Sequence, residues 1–489
     1  MGRQYLLAID VGTTNTKGAL FGLDGRLWHL ASRKHAVSSP REGWAEHDAG
    51  QVWWKEVKEV CRELTANPDV NPKDILSVGV SSLSPALLAV DKAGEALYPA
   101  MLYGLDRRAA AEMEELSGKF GENEEPGPVS VLSTGPKILW LKRNEPEIFE
   151  KAAYFIGAPS YIVNKLTGNM VADYACYHIN GIPFNRNTFD WDDEMCGACG
   201  ITRERLPRLK WGSEKAGVVT KRAAAETGLW EGCTVAVGTG DFPAESISYG
   251  TIYSSWIKIS FGTTVGVNFG SDHGRMVFPG YDYLHPRKSI RGGAMSNGCS
   301  TIDWMLSVIS GEERISNEEL QKMADSVPPG ANGLTMLPYL NGEKTPFYDP
   351  MSKGVLLGLQ RRHTKADLYK VSMEALAYSI RQMLEAVPED RAREAVVLGG
   401  GLNIPGLMQI VSDVTGYRLT KLELVNGSLA GDAFIAGTAL GIFHELKDID
   451  PWVRTVGTVE PDSGNKRIYD KGYQTYRRLY ENTAELMHG

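Results

Sequence analysis

Cysteine is scarce in this chain: six residues among 489, Cys61, Cys176, Cys196, Cys199, Cys233 and Cys299. Their scatter excludes a disulfide framework and fits a reducing, cytoplasmic setting. Cys196-Gly-Ala-Cys199 is a lone C-x-x-C with no second pair and no histidine at ligand spacing, so it reads as small loop residues rather than a zinc or redox site. The nine histidines form neither H-x-x-H nor H-E-x-x-H. Long apolar runs are missing too. The opening stretch Leu6–Ile9 is stopped by Asp10, far short of a signal-peptide core or a membrane span. Gly2 lacks the Ser or Thr at residue 6 that myristoylation requires, since that residue is Leu6. Positive charge is not in excess: 52 Lys and Arg stand against 60 Asp and Glu, a formal net charge of −8. Nucleic acid and anionic membranes are therefore not expected partners. Any phosphate must be held by local geometry, through backbone N–H groups and a metal.

What is present points to an α/β protein of two domains, because 489 residues exceed what one core accommodates. Tyr5–Ile9 reads as a strand, Asp10–Asn15 as a polar glycine turn and Lys17–Phe21 as a second strand. Asp24-Gly25 turns into a third. A helix is expected from Asp48, with Gln51 closing a capping box and Trp53, Val57, Val60, Cys61 and Leu64 on one face. Ile75–Ser81 is the next strand. A helix with Leu407, Ile410, Val411 and Val414 on one face should end at a Gly416 cap. Another should start at Thr364 with Asp367 as its box partner and stop at Pro388. The charge clusters at 112–125 and 311–319 read as solvated helix faces.

The opening pattern returns half a chain later. Ser255–Ser260 is a strand, Phe261-Gly-Thr-Thr264 a glycine turn and Val265–Phe269 a strand, with Gly12 and Gly262 placed 250 residues apart. A second echo joins Thr234–Gly240, running into Asp241, with Ala395–Gly401, running into Leu402-Asn403. Two echoes in one order imply two related domains, 1–250 and 251–489.

Several of these residues could carry chemistry. Phosphate needs N–H donors at close range and no Cβ in the way, which Gly12, Thr13, Thr14 and Gly262, Thr263, Thr264 offer. Lys17 could add charge and Asp10 could hold Mg²⁺. An ordinary polar hairpin with a surface Asp accounts for either turn equally well. Gly399-Gly-Gly401 can bring backbone close to a nucleotide but lacks the G-x-G-x-x-G spacing. Asp241 follows a strand and glycines, where a cleft carboxylate can accept the proton of an attacking hydroxyl. Capping of a helix near Pro243 is an equal reading. Asp106 and Arg108 could hydrogen-bond sugar hydroxyls, although a surface ion pair is the simpler account.

Together these words resemble the FGGY family of carbohydrate kinases, over nearly the whole chain. Asp10–Lys17 is similar to its first phosphate hairpin and Gly43–Asp48 to the following loop. Gly240-Asp241 is similar to its catalytic segment and Phe261–Thr264 to its second hairpin. Leu337–Pro346, continuing to Leu359, is similar to its signature stretch, and Gly399–Asn403 with Met408-Gln409 to its adenosine-side loop. The resemblance implies a two-domain, actin-like (ribonuclease H-like) ATPase fold with the active site in an interdomain cleft. It implies ATP and Mg²⁺ as cofactors, Asp241 as general base and Asp10 on the metal side. Gly12, Thr13, Thr14, Lys17, Gly262, Thr263, Thr264, Gly400, Gly401 and Asn403 would hold the nucleotide. Asp106, Arg108, Ser84, Asp241 and Phe242 would hold the sugar or polyol. Members of the family are often dimers, and no interface is readable here. One departure bears on the substrate. Sugar kinases of the xylulose type carry Gln-Met-His near residue 83, where this chain has Ser81-Ser-Leu-Ser-Pro-Ala86. The usual Trp-Asn is Gly104-Leu105. D-xylulose or a related ketose leads, followed by gluconate or another polyol. A non-catalytic sugar sensor or ATPase switch of the same fold is the alternative of another class.

Overall fold

Strand Tyr5–Val11 is buried at all seven positions, as expected of a strand covered on both faces. In a computed structural model of the chain, two helices provide that cover. Tyr5, Leu7, Ile9 and Val11 share one core with Val57, Val60 and Leu64 of helix Lys55–Thr65. The alternate residues Leu6, Ala8 and Asp10 face the other way, and helix Ser428–Ala439 packs against this strand. The structure describes residues 3–121, 129–130, 132–250, 257–271, 280–283, 285–311, 315–387, 393–423 and 427–488.

The chain forms two compact units. One comprises Met1–Gly250, Tyr281–Lys288 and Val425–Val453; the other comprises Thr251–Gly280, Ser289–Leu424 and Arg454–Gly489. A single cut at 250 does not follow this packing, because Ser428–Ala439 is strongly apolar and finds its partners on the first sheet. In that sheet Leu27–Lys34 pairs with Asn15–Gly22, which pairs antiparallel with Tyr5–Val11. Tyr5–Val11 then runs parallel to Ile75–Ser82, and Ile75–Ser82 parallel to Thr234–Ala236. Lys215–Val218 closes the order antiparallel.

The second sheet repeats this plan. His285–Ala294 pairs with Val265–Ser271, and that strand pairs with Ile257–Phe261, both antiparallel. Ile257–Phe261 is parallel to Glu394–Leu398, which is parallel to Arg418–Leu422, and Thr455–Val459 closes antiparallel. Two domains of one plan follow, but the second sequence echo joined strands that are not equivalent. The counterpart of Glu394–Leu398 is Ile75–Ser82, not the 234–240 segment. That segment breaks at Gly238 into Thr234–Ala236 and Thr239–Gly240, and both pieces pair with Ile75–Ser82.

Local signals behaved unevenly. Asp48 caps its helix, accepting from Gly50 N and Gln51 N at 2.9 Å, yet the first turn Ala49–Trp54 is wound as a wider π-helix. Thr364 and Asp367 form the expected capping box on helix Lys365–Leu384. Gly416 ends Leu407–Thr415 in the left-handed conformation. The second hairpin opens at Ile257; Ser255 and Trp256, and also Pro388, lie outside the described residues. So do residues 122–125 and 312–314 of the two charge clusters, whose remaining parts reach helices Ala110–Phe120 and Asn317–Ser326.

Helix Ser428–Ala439 approaches its neighbours through glycine. A methyl group added at Gly431 would lie 1.9 Å from the Ala244 carbonyl oxygen, and one at Gly79 would lie 1.9 Å from that of Asp432. Neither neighbour is a side chain that can swing aside. Gly431→Ala is therefore expected to destabilise the protein by about 3 kcal/mol, the upper range for overpacking. A shift of the urea unfolding midpoint measures this, and an unchanged midpoint would show that the helix can slide.

Candidate active site

The end of strand Tyr5–Val11 carries Asp10, and sheet register sets it beside Ser81 on one side and Lys17 on the other. Asp10 is buried, with Oδ1 3.3 Å from the Ser81 hydroxyl, and Ser428 at the start of the returning helix also donates to it. Burial pushes its carboxyl above the ordinary range, against the pull of the Ser428 bond and the Lys17 charge. Asp432, one turn into the same helix, is fully buried. Its Oδ2 accepts from Ser81 Oγ at 2.7 Å and its Oδ1 has no partner. Burial raises its carboxyl well above the ordinary range, and the Asp10 and Asp241 charges add to this. No motif pointed to Asp432; the nearest signal was Gly431 beside it in an otherwise apolar helix.

Asp241 is the first residue of helix Asp241–Ser248 and not the cap, which is Gly240. Asp241 Oδ1 accepts from the Phe242 N–H at 2.7 Å. It also faces Asp10 electrostatically and keeps part of its surface open. Crowding by protein atoms, then the Asp10 charge, push its carboxyl up to about 7. Thr239, two residues earlier, donates to buried Asp173 Oδ2 at 2.6 Å, and Gly212 N donates to Asp173 Oδ1 at 2.9 Å. This fixes the strand end from which Asp241 projects. Ser84 lies against Gly240, whose added Cβ would be 3.1 Å from Ser84 Cβ. Asp10, Ser84, Asp241 and Phe242 are thus brought to one end of the first sheet.

The first glycine turn stands beside them. Gly12, Thr13 and Lys17 are half-buried and Thr14 is exposed. Thr13 Oγ1 is 3.0 Å from the Tyr103 hydroxyl. Asp106 and Arg108 form a buried pair, not a surface one. Arg108 Nε lies 2.9 and 3.0 Å from the two Asp106 oxygens, and its Nη2 lies 2.5 Å from Asp106 and 2.7 Å from Glu46. Side-chain exposure is 1% for Arg108 and 0% for Asp106. Asp106 also accepts from Ala45 N at 2.8 Å, and the guanidinium sits 3.7 Å from the Trp44 ring centroid. Asp106 is thereby committed to the protein, while Arg108 Nη1 is buried without a partner. Buried Lys137 was not singled out by sequence, and Trp44 and Glu46 only as part of the Gly43–Asp48 loop. Lys137 donates to the Leu102 and Tyr103 carbonyls, and desolvation lowers it to about 8. It lines a cavity of about 230 Å³ beside Asp106.

In the second unit Gly262, Thr263 and Thr264 are exposed. Their carbonyls are turned inward by the start of helix Cys299–Ser310: Cys299 N donates to Gly262 O at 3.1 Å and Gly298 N to Thr263 O at 3.0 Å. Gly401 is buried, and an added Cβ would sit 2.3 Å from Cys299 Sγ and 2.9 Å from Phe261 Cβ, so its smallness serves packing. Gly400 has open space around it. Asn403 lines a cavity of about 590 Å³ with Asn317, Gln321, Leu402 and Gln409; Asn317 and Gln321 carried no sequence signal. Among the described residues no cluster of three metal-ligating side chains occurs, and no helix is long and apolar enough to cross a membrane.

The two units thus share one sheet plan, each with a glycine hairpin at its first strand, and the first carries Asp10 and Asp241 at one end of its sheet. Residues 5–247 match the N-terminal domain and residues 257–440 the C-terminal domain of the FGGY family of carbohydrate kinases. The chain belongs to that family and is an ATP-dependent sugar kinase. It is 26% identical to the xylulose kinase of Bacillus subtilis (strain 168), over 99% of this chain and 98% of that protein. A glycerol kinase of Pseudarthrobacter chlorophenolicus is 27% identical over 91% of both. The crystal structure of a xylulose kinase from Rhodospirillum rubrum superposes with a TM-score of 0.89 at 27% identity, covering 99% of this chain and 100% of that one.

Proposed function

We propose that this kinase acts in the cytoplasm on D-xylulose or a closely related ketose, with Asp241 as general base. The sugar hydroxyl oxygen attacks the γ-phosphorus of ATP, the bond from phosphorus to the β-phosphate oxygen breaks, and ADP leaves. Asp241 takes the hydroxyl proton as the new bond forms. What carries the reading is Asp241 itself: a carboxyl held up to about 7 by burial and by Asp10 is ionised often enough to accept a proton and basic enough to keep it. The hairpins Gly12–Thr14 and Gly262–Thr264 offer the N–H groups of Thr13, Thr14, Thr263 and Thr264 to the phosphates, aided by Lys17, while the Gly12 and Gly262 N–H groups close the turns onto Asn15 O and Thr264 O. Asn403 and Gly400 border the nucleotide. The oxygen donors at Asp10, with Ser81 and Asp432 behind it, suit a hard cation such as Mg²⁺, which when bound with ATP neutralises phosphate charge. Ser84 and Phe242 border the sugar. Asp106 serves it by fixing Arg108 and the 44–46 loop, and Arg108 Nη1 keeps an unclaimed donor.

Similarity to the xylulose kinases over their full length favours a ketose. ADP release measured with a panel of ketoses, polyols and aldonates tests this. Stimulation of at least ten-fold by D-xylulose is expected. Preference for glycerol or gluconate would reassign the substrate. Sugar-independent turnover would instead mark an ATPase switch, and sugar binding without turnover a sensor.

A further inference from the structure

A loop that offers N–H groups to phosphate must keep its carbonyls pointing elsewhere, because a peptide turned over presents negative charge to an anion. In the second hairpin a helix start does this, through Gly298 N and Cys299 N with Ser300 Oγ 2.9 Å from Thr263 O. The first hairpin is held by other means. Strand register sets Lys34 opposite Asn15, so the next residue, His35, arrives behind Thr14. The His35 N–H donates to Thr14 O at 3.0 Å, and its ring Nε2 lies 3.1 Å from Gly12 O. The ring is held in turn: Nδ1 lies 2.8 Å from Glu56 Oε2, with side-chain exposures of 5% and 11%. His47 packs edge-on against it with centroids 4.9 Å apart, and is itself fixed by Trp53 Nε1–H donating to its Nδ1 at 2.9 Å.

We propose that His35 is a positioning residue: braced by Glu56, it turns the Gly12 and Thr14 carbonyls away from the nucleotide so that the hairpin N–H groups face its phosphates. This rests on the reading of Gly12–Thr14 as a phosphate hairpin. The ring contact is confined to the first hairpin, so its loss is expected to fall on phosphate binding. Glu56 acts one step further back, by holding the imidazole plane. The backbone contact to Thr14 survives any side-chain change, so the ring's share is isolated by substitution.

Binding of ATP and of AMP, measured by calorimetry on the full chain, tests this alongside steady-state kinetics. His35→Phe is expected to weaken ATP at least ten-fold while AMP affinity and the sugar KM stay within two-fold. His35→Gln, whose amide can still donate to Gly12 O, should recover most of that loss. Equal ATP affinity in His35→Phe, or equal losses for ATP and AMP, overturns the proposal. Should His35→Phe not fold, Glu56→Ala decides: a loss of three-fold or more for ATP alone supports it, and no loss overturns it. The unmodified enzyme separates the two layers. If it binds ATP no more tightly than AMP, the phosphate-hairpin reading itself fails, whatever the variants do.

Discussion

Asp241→Asn is expected to lower kcat for sugar phosphorylation by roughly 100- to 10,000-fold, the usual contribution of a positioned general base, while ATP affinity stays within two-fold. The amide keeps the shape and the bond from Phe242 N but cannot take a proton. Two further readouts set this apart from mere damage. In the unmodified enzyme kcat/KM should rise with pH through about 7, because the carboxyl is raised to that value and only its ionised form is a base. The stability sign is the opposite. A carboxyl whose folded value lies above its unfolded one binds its proton more tightly in the folded state, so folding loses stability as pH rises from about 4 through 7. Asp241→Asn removes that penalty. The inactive variant should melt higher than the parent at pH 8 and little differently at pH 4, by up to about 4 kcal/mol for a three-unit shift and less given the partial exposure of the carboxylate. A variant with full activity would end the assignment of the base.

Asp106→Ala should act on stability first. It leaves the Arg108 guanidinium buried with Glu46 as its one remaining carboxylate partner and removes the acceptor of Ala45 N. Breaking a buried pair from one side typically costs about 3–5 kcal/mol, and the surviving Glu46 contact places this case near the lower end. A fall in Tm of several degrees is expected, with a higher sugar KM in whatever folds. If Tm is unchanged and only KM rises, Asp106 contacts substrate directly and the buried pair contributes little.

The sequence was most informative where a local rule had no competitor. Thr364 and Asp367, Gly416, and the opening hairpin obey capping and turn chemistry that neighbouring elements do not override. The 234–240 segment was misjudged because its glycines read as a strand end, whereas Gly238 lets the chain break stride and rejoin Ile75–Ser82. At Gly401 the close approach is made by Phe261 and Cys299, which the glycine spacing does not record. Asp432 and His35 were illegible for another reason. Each acts through a partner tens or hundreds of residues away, and nothing in the spacing of one segment records which strand register will set it there. The pair Asp106 and Arg108 was visible, but its burial was not, because the cover comes from Trp44 and Trp140 in distant segments.

The return of residues 425–453 to the first unit has a consequence for biosynthesis. A nascent chain usually completes its leading domain while the rest is still being made. Here one face of strand Tyr5–Val11 lacks its cover until helix Ser428–Ala439 has left the ribosome, so the amino-terminal half must wait, with apolar surface showing, for a segment made long after it.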